Sequence, residues 1–146
     1  MAGSDPAAPS YLIVDGHSMV FAWPDLSELH ARSQAAARDQ LARRLTTLQD
    51  LTGERVVLVF DGQRETIEKS EQAIDDIQVF YSPQGATADA LIERLVGKYA
   101  PDREITVASR DRAVLDTCSA LGALAISATA LLERVEAAEA DLRRRL

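Results

Sequence analysis

Three short apolar runs, each followed by an aspartate, constrain the fold of this chain more than any other feature. They are YLIVDG at residues 11–16, VVLVFDG at residues 56–62 and, more weakly, ITVASRD at residues 105–111. Short apolar runs rich in β-branched residues are typical of strands that are buried on both faces of a parallel sheet. A chain of 146 residues can enclose one hydrophobic core, so we expect one domain built around these strands.

The segments between these runs have helical character. Residues 27–52 carry apolar side chains at spacings of three and four, and Gly53 follows as a stop signal. The other predicted elements are a strand at 77–81, a helix capped by Thr87 that runs to Tyr99, a helix capped by Ser109 that runs to Ala120, an edge strand at 124–126 and a helix from Thr129. Because strands that alternate with helices pair in parallel through right-handed crossovers, we predict an α/β domain with a doubly wound, mostly parallel sheet.

The composition of the chain narrows the cellular compartment and the kinds of partner that we expect for it. Residues 1–10, MAGSDPAAPS, are predicted to be a flexible tail, which leaves residues 11–146 as the domain. The single cysteine, Cys118, excludes an internal disulfide, and no apolar run approaches the length of a membrane span, so we expect a cytoplasmic protein. The net charge of −7 argues against coating nucleic acid through overall charge, although a local basic groove remains compatible with it.

Carboxylates at the predicted strand ends are the strongest indication of chemistry. Asp15 and Asp61 follow two strands, Asp111 lies in the turn after another, and Asp89 lies in the first turn of a helix. In doubly wound sheets ligands bind beyond the carboxyl ends of the strands, where these acids are expected to converge. Glu93 shares a helix face with Asp89 and adds a fifth acid. Close carboxylates need a balancing cation, and hard ions such as Mg²⁺ or Mn²⁺ prefer oxygen ligands.

A structural interpretation of these acids stays open. An aspartate at a helix N-terminus interacts well with the helix dipole, and an aspartate after a strand is common turn chemistry. Asp15 and Asp61 are the hardest to explain in this way, because each follows an apolar strand and precedes a glycine, Gly16 or Gly62, that permits close backbone approach.

Other kinds of site have less support in the sequence. There is no glycine-rich phosphate loop. His17 and Ser18, as neighbours at a strand end, are expected to point to opposite sides, which disfavours a nucleophile with its base. Trp23 could stack on a base, but we favour a packing role because the chain has few large aromatic residues.

Four segments occur in an order and at spacings that match a known family: YLIVDGHSMVFAWPDL, TGERVVLVFDG, QGATADALIERLV and ITVASRDRAV. From residue 11 to the C-terminus the chain resembles the YacP-like group of the NYN branch of PIN-like ribonucleases. The resemblance implies a three-layer α/β/α sandwich and a divalent metal site. It also implies cleavage of RNA that leaves 5′-phosphate and 3′-hydroxyl ends. By position it assigns the catalytic and metal-binding acids to Asp15, Asp61, Asp89 and Asp111.

Binding of single-stranded RNA would require positive charge near the acids. Arg110 and Arg112 flank Asp111, and Arg64 follows Asp61 by three residues, so these arginines are predicted to contact phosphates; solvated surface charge is the alternative. The basic end at residues 143–145 is a candidate contact for RNA or a larger RNA-containing assembly, or a complement to a helix dipole.

Ser18 separates two functional hypotheses. It stands where the family commonly has Asn, and His17 replaces the more usual Tyr. A serine hydroxyl can still bind substrate or water, although it has less reach than an amide. The first hypothesis is a metal-dependent endoribonuclease with Ser18 at the substrate. The alternative is a catalytically weak or inactive module on the same fold that binds RNA or protein.

Overall fold

The computed structural model describes residues 8–64, 68–69, 77–83 and 85–146, with the side chains of residues 63, 64, 68 and 69 left aside. These residues form six strands and six helices. The strands are β1 Tyr11–Asp15, β2 Arg55–Arg64, β3 Glu68–Lys69, β4 Gln78–Pro83, β5 Ile105–Ala108 and β6 Leu124–Ile126. The helices are α1 Gly16–Ala22, α2 Pro24–Arg32, α3 Gln34–Thr52, α4 Ala88–Tyr99, α5 Arg112–Ala120 and α6 Ala128–Arg145.

The strands form one sheet in the order β3-β4-β2-β1-β5-β6. All neighbouring pairs are parallel except β3 with β4, which is antiparallel. The chain builds outward from β1 through β2 to β4 and then returns to the other side of β1 with β5 and β6. The order therefore reverses between β1 and β5, which is the switch point where ligands bind in such sheets.

Helices cover both faces of the sheet and divide the core in two. One cluster joins β1 and β2 side chains to α1, α2, α3 and α6. The other joins the opposite faces of the same strands to α4 and α5. The predicted three-layer α/β/α sandwich with a doubly wound, mostly parallel sheet is confirmed. In the part of the chain that the structure describes, no helix combines the length and the apolar character needed to cross a bilayer.

The N-terminal helical region differs from the prediction. Instead of one helix over residues 27–52, three helices follow β1 directly. The first begins at Gly16, immediately after Asp15, whose side chain caps it. Pro24 starts the second, where a missing N–H costs nothing. The Ser33 hydroxyl accepts from Ala36 N at 3.1 Å and starts the third, so the predicted region contains a break.

Smaller differences concern the other element ends. β2 continues past Phe60 through Asp61, and the cap of α5 is Asp111 rather than the predicted Ser109. Residues 1–7 of the predicted tail at 1–10 lie outside the described residues, as do residues 65–67 and 70–76 of the polar segment at 63–76.

Trp23 has the packing role that the sequence favours. Its side chain is 1% exposed, and its Nε1 donates to the Ala128 carbonyl oxygen at 2.9 Å. The guanidinium of Arg44 lies 5.3 Å from the centre of the ring and also pairs with Glu139. Trp23 therefore ties the turn between α1 and α2 to the start of α6.

Gly16 begins α1 against the ring of Phe60. A Cβ at this position would lie 2.3 Å from the ring atom Cε1, so any side chain forces the ring or the helix to move. We expect Gly16→Ala to lower the free energy of unfolding by about 2 kcal/mol in urea titrations.

Gly97→Ala in α4 is the matched control for this substitution. The nearest atom to its new Cβ is Leu121 Cδ1 at 4.0 Å. It should raise the free energy of unfolding by about 0.5–1 kcal/mol through helix propensity. Equal stability of Gly16→Ala and the wild type would show that the Phe60 ring moves without cost.

Candidate functional site

An open pocket of about 230 Å³ lies at the carboxyl ends of the central strands. It sits beside the switch point of the sheet, where α1, α4 and α5 begin. The residues that line it are Asp15, His17, Ser18, Asp61, Asp89, Arg110 and Asp111. The structure thus brings together the four predicted acids, which come from four separate segments of the chain. Their catalytic and metal-binding roles stay predictions.

Asp15 is held rigidly at the base of this pocket. It ends β1, caps α1 and is 5% exposed. Its Oδ2 accepts hydrogen bonds from the hydroxyls of Ser18 at 2.8 Å and Ser109 at 3.0 Å. These two donors hold the Asp15 carboxylate in one orientation at the pocket.

The two serines also join the elements that carry the other acids. The Ser18 hydroxyl accepts from Arg110 N at 3.0 Å, and the Ser109 hydroxyl accepts from Asp111 N at 3.0 Å. Ser18 was predicted to contact substrate. In the structure its hydroxyl is engaged in positioning Asp15 and the loop after β5, so its substrate role stays a prediction.

Asp61 and Asp111 are positioned by helix N-termini. Asp61 Oδ1 accepts from Ala88 N, the first residue of α4, at 2.6 Å. Asp111 caps α5 and accepts from Ala113 N at 2.9 Å. The free N–H groups and the dipole at a helix N-terminus favour a negative charge. Each acid is held through one oxygen, which fixes its direction at the pocket edge.

Asp89 is the acid whose protonation the surroundings alter most clearly. Its pKa is raised from an ordinary value of 3.8 to about 6, first by burial and then by repulsion from Asp15, Asp111, Asp61 and Glu93. The other four acids therefore lie within electrostatic range of Asp89 and oppose its ionisation. This is the condition that a bound cation relieves.

Glu93, the fifth predicted acid, does not line the pocket. It lies on the same helix face as Asp89. Burial first, and then repulsion from Glu93 and Asp89, raises the pKa of the Cys118 thiol to about 11. Cys118 faces inward as predicted. Glu93 therefore adds charge near the site without reaching its lining.

Asp89→Asn is expected to stabilise the fold at neutral and higher pH. A pKa raised in the folded state means that the folded protein binds the proton more tightly, so ionisation costs stability above pH about 6. Asp89 is partly exposed, and we expect a gain of about 1–2 kcal/mol at pH 8 that declines below pH 6 and is absent below pH about 4.

Urea unfolding over this pH range measures the effect, with Asp50→Asn as the control. Asp50 is an exposed carboxylate on α3, away from the pocket lining. A gain for Asp89→Asn that does not change with pH would contradict the assignment to ionisation.

The predicted cations have different positions. Arg110 lines the pocket. The side chain of Arg112 is 88% exposed, with Nε 3.3 Å from Asp116, and it is not part of the lining. The side chain of Arg64 lies outside the described residues. At the C-terminus, Arg144 and Arg145 contact Asp141 within α6. The structure thus places one of the predicted arginines directly at the acids.

Sequence reasoning missed the roles of His17 and Ser109. His17 lies in the first turn of α1 rather than at a strand end, and its Nε2 lies 3.8 Å from Asp61 Oδ2. That nitrogen is buried and has no hydrogen-bond partner among the described residues. The signal in the sequence was a hydroxyl or an imidazole within three residues of Asp15 and of Asp111.

The donor set fits a hard cation in its chemistry. Carboxylate oxygens are the ligands that Mg²⁺ and Mn²⁺ prefer, and the raised pKa of Asp89 marks the excess of negative charge. Within the described ranges, no group of three or more His, Cys, Asp or Glu side chains has the spacing to hold one ion directly. Ligation through water, which Mg²⁺ commonly retains, is compatible with this spacing.

A doubly wound sheet with four aspartates gathered at its switch point is the arrangement that the resemblance to PIN-like nucleases implies. The model of the YacP-like NYN domain matches residues 12–146, and the chain belongs to that family. Both statements agree with the resemblance inferred from the sequence motifs.

Three matches from Bacillus subtilis, all carrying the name YacP, agree with this family assignment. The chain is 35% identical over 136 residues to the uncharacterized protein YacP of strain 168, covering 92% of this chain and 80% of that protein. The crystal structure of Rae1 (YacP) matches with a TM-score of 0.79 and 35% identity, covering 93% of this chain and 79% of that one. A mutant of the same protein matches with a TM-score of 0.79 and 34% identity, over 93% and 80% of the two chains.

Proposed function

We propose that this protein is a metal-dependent endoribonuclease that hydrolyses phosphodiester bonds of single-stranded RNA in the acidic pocket. The observation that carries the proposal is the pocket itself, in which four acids from separate segments lie at the switch point of an NYN fold. The raised pKa of Asp89, which reflects burial and the neighbouring acids, supports a role of this pocket in binding a cation.

The residues of the chain have distinct tasks in this proposal. Asp15, Asp61, Asp89 and Asp111 would hold Mg²⁺ or Mn²⁺, and Asp15 is fixed for this by the two serine hydroxyls. When bound, such an ion would supply Lewis acidity, which would activate water and stabilise charge on the phosphate. Arg110 at the rim offers a guanidinium to a phosphate oxygen and steadies the charge that develops during cleavage.

A second candidate is an NYN module that binds RNA or protein without cleaving it. It is favoured by the two hydroxyl donors on Asp15 Oδ2 and by the absence, among the described side chains, of a direct three-ligand group. Both features reduce the capacity of the pocket to hold an ion in catalytic geometry.

Cleavage of a labelled single-stranded RNA distinguishes the two candidates. The nuclease should give internal cuts with 5′-phosphate and 3′-hydroxyl ends in Mg²⁺ or Mn²⁺ and none in EDTA. The module should bind the RNA and leave it intact under all these conditions. Cutting by Ser18→Asn alone would assign the natural protein to the module, because that substitution restores the residue common in the family.

A further inference from the structure

We propose that Phe21 is a stacking platform for a base of the bound single-stranded RNA, next to the acidic pocket. This inference rests on the proposed function insofar as the ligand is RNA. Phe21 lies on α1, and its side chain is 45% exposed, whereas the preceding residues Met19 and Val20 are buried in the core. The first helix therefore presents one aromatic ring to solvent beside the site.

The described groups around this ring are aromatic and cationic. The His30 ring lies edge-on with its centroid 4.9 Å away, and the His17 ring lies nearly parallel at 6.0 Å. The guanidinium carbon of Arg110 lies 5.9 Å from the centroid of the Phe21 ring. Two imidazoles and a guanidinium around an exposed ring make a surface suited to a flat, polar, electron-rich group.

The aromatic surface is continuous with the acidic pocket, because His17 and Arg110 belong to both. Arg110 thus stands between the acids and the Phe21 ring. A phosphate that reaches the pocket would contact Arg110, and the base of an adjoining nucleotide would stack on Phe21.

A second guanidinium lies near His17, beyond a buried ring. The His17 ring meets the buried Phe60 ring edge-on at 6.1 Å, and Arg38 lies 4.9 Å from the Phe60 centroid and 5.6 Å from that of Tyr81. Phe60 offers no face to a ligand, so the accessible aromatic strip consists of Phe21, His17 and His30. Arg110 beside Phe21 and Arg38 beyond Phe60 bring positive charge to this strip, which complements a negatively charged backbone that crosses it.

Single-stranded nucleic acid is the occupant that this chemistry favours. Stacking on an aromatic ring is tolerant of sequence because every base has a π face, and bases in a duplex are not available for it. An apolar protein segment would gain little from the flanking imidazoles and arginines. The inference therefore adds an unpaired base, close to the cleaved bond, to the substrate requirements.

Binding of a short fluorescein-labelled single-stranded RNA in Mg²⁺, followed by anisotropy, tests the platform. All proteins carry Asp15→Asn, so that the RNA stays intact. The variants are Phe21→Ala and Phe21→Trp. The matched control is Tyr99→Ala, which removes a ring of similar exposure, 43%, with a cation, Lys98, 5.3 Å from its centroid. Tyr99 lies at the far end of α4 and does not line the acidic pocket.

Phe21→Ala should weaken binding by about 5- to 150-fold, whereas Phe21→Trp and Tyr99→Ala should bind as the parent does. An abasic site at the position of the stacked nucleotide should cause the same loss in the parent and no further loss in Phe21→Ala. If Phe21→Ala unfolds, Phe21→Leu removes the ring while keeping an apolar side chain, and it should show the same weakening.

Equal RNA affinity of the parent and Phe21→Ala would overturn the platform. Abasic losses that are the same in the parent and in Phe21→Ala would overturn it also. These outcomes are separable from failure of the nuclease proposal. Cleavage of RNA by the wild-type protein tests the nuclease proposal directly. RNA binding by the proteins that carry Asp15→Asn tests the platform whether or not the wild type cleaves.

Discussion

Asp15→Asn is expected to reduce cleavage of single-stranded RNA by about 10²- to 10³-fold, the scale on which removal of one preorganised electrostatic group acts in an active site. Asp15 ends the central strand β1, is buried, and is fixed by the hydroxyls of Ser18 and Ser109. An amide oxygen can still accept both hydrogen bonds, so the architecture should persist while the negative charge is lost.

Asp50→Asn is the matched control for this experiment. It makes the same chemical change on the exposed face of α3 and should leave the rate within twofold of the wild type, in keeping with the small effects of surface substitutions. Both variants should retain the wild-type circular dichroism spectrum. Equal cleavage by the wild type and Asp15→Asn would assign the activity to a contaminating nuclease.

Mg²⁺ or Mn²⁺ should raise the melting temperature of the wild-type protein by about 5–10 °C at an ion concentration 100 times the dissociation constant. Binding to the folded state alone then contributes about 2.7 kcal/mol, and each kcal/mol moves the midpoint of a domain of this size by about 2–4 °C. The pocket supplies the reason, since the pKa of Asp89 is raised by burial and then by repulsion from neighbouring acids, and a bound ion would relieve that repulsion.

The rise should be much smaller in Asp15→Asn and unchanged in Asp50→Asn. Calorimetry with KCl at matched ionic strength separates specific binding from screening, which acts on all surface charges. Identical shifts in the two variants would place the bound ion away from the acidic pocket.

Prediction of the fold from the sequence succeeded where patterns are local. The strands of the central sheet are apolar and end at a polar residue or glycine, so their positions and their parallel pairing followed directly. The seven-residue α1 was missed, because it is too short to show helical periodicity and its start depends on capping by Asp15. The break at Ser33 was missed for a similar reason, since the apolar spacing continues past it.

The convergence of the four acids could be predicted from the sequence, whereas the residues that support them could not, and the roles of the acids stay predictions. Each strand-end aspartate could be placed, because the carboxyl ends of parallel strands share an edge. The bond between Ser109 and Asp15 joins residues 94 apart, and no local pattern encodes such a pairing. The contact of His17 with Asp61 depends on a helical backbone at residue 17, which the strand interpretation excluded.

The hydrogen bond from the Trp23 indole to Ala128 affects the timing of folding during synthesis. It joins residues 105 positions apart, and α6 closes over the face of the sheet that α1 and α3 occupy. A chain emerging from the exit tunnel can form β1 and α1 early, yet it lacks the partner of Trp23 until α6 has also emerged. Domains fold as units, and contacts this distant in sequence form late. The newborn chain should therefore complete this side of its core only once α6 has emerged from the tunnel, and loss of α6 should leave the Trp23 indole without its hydrogen-bond partner.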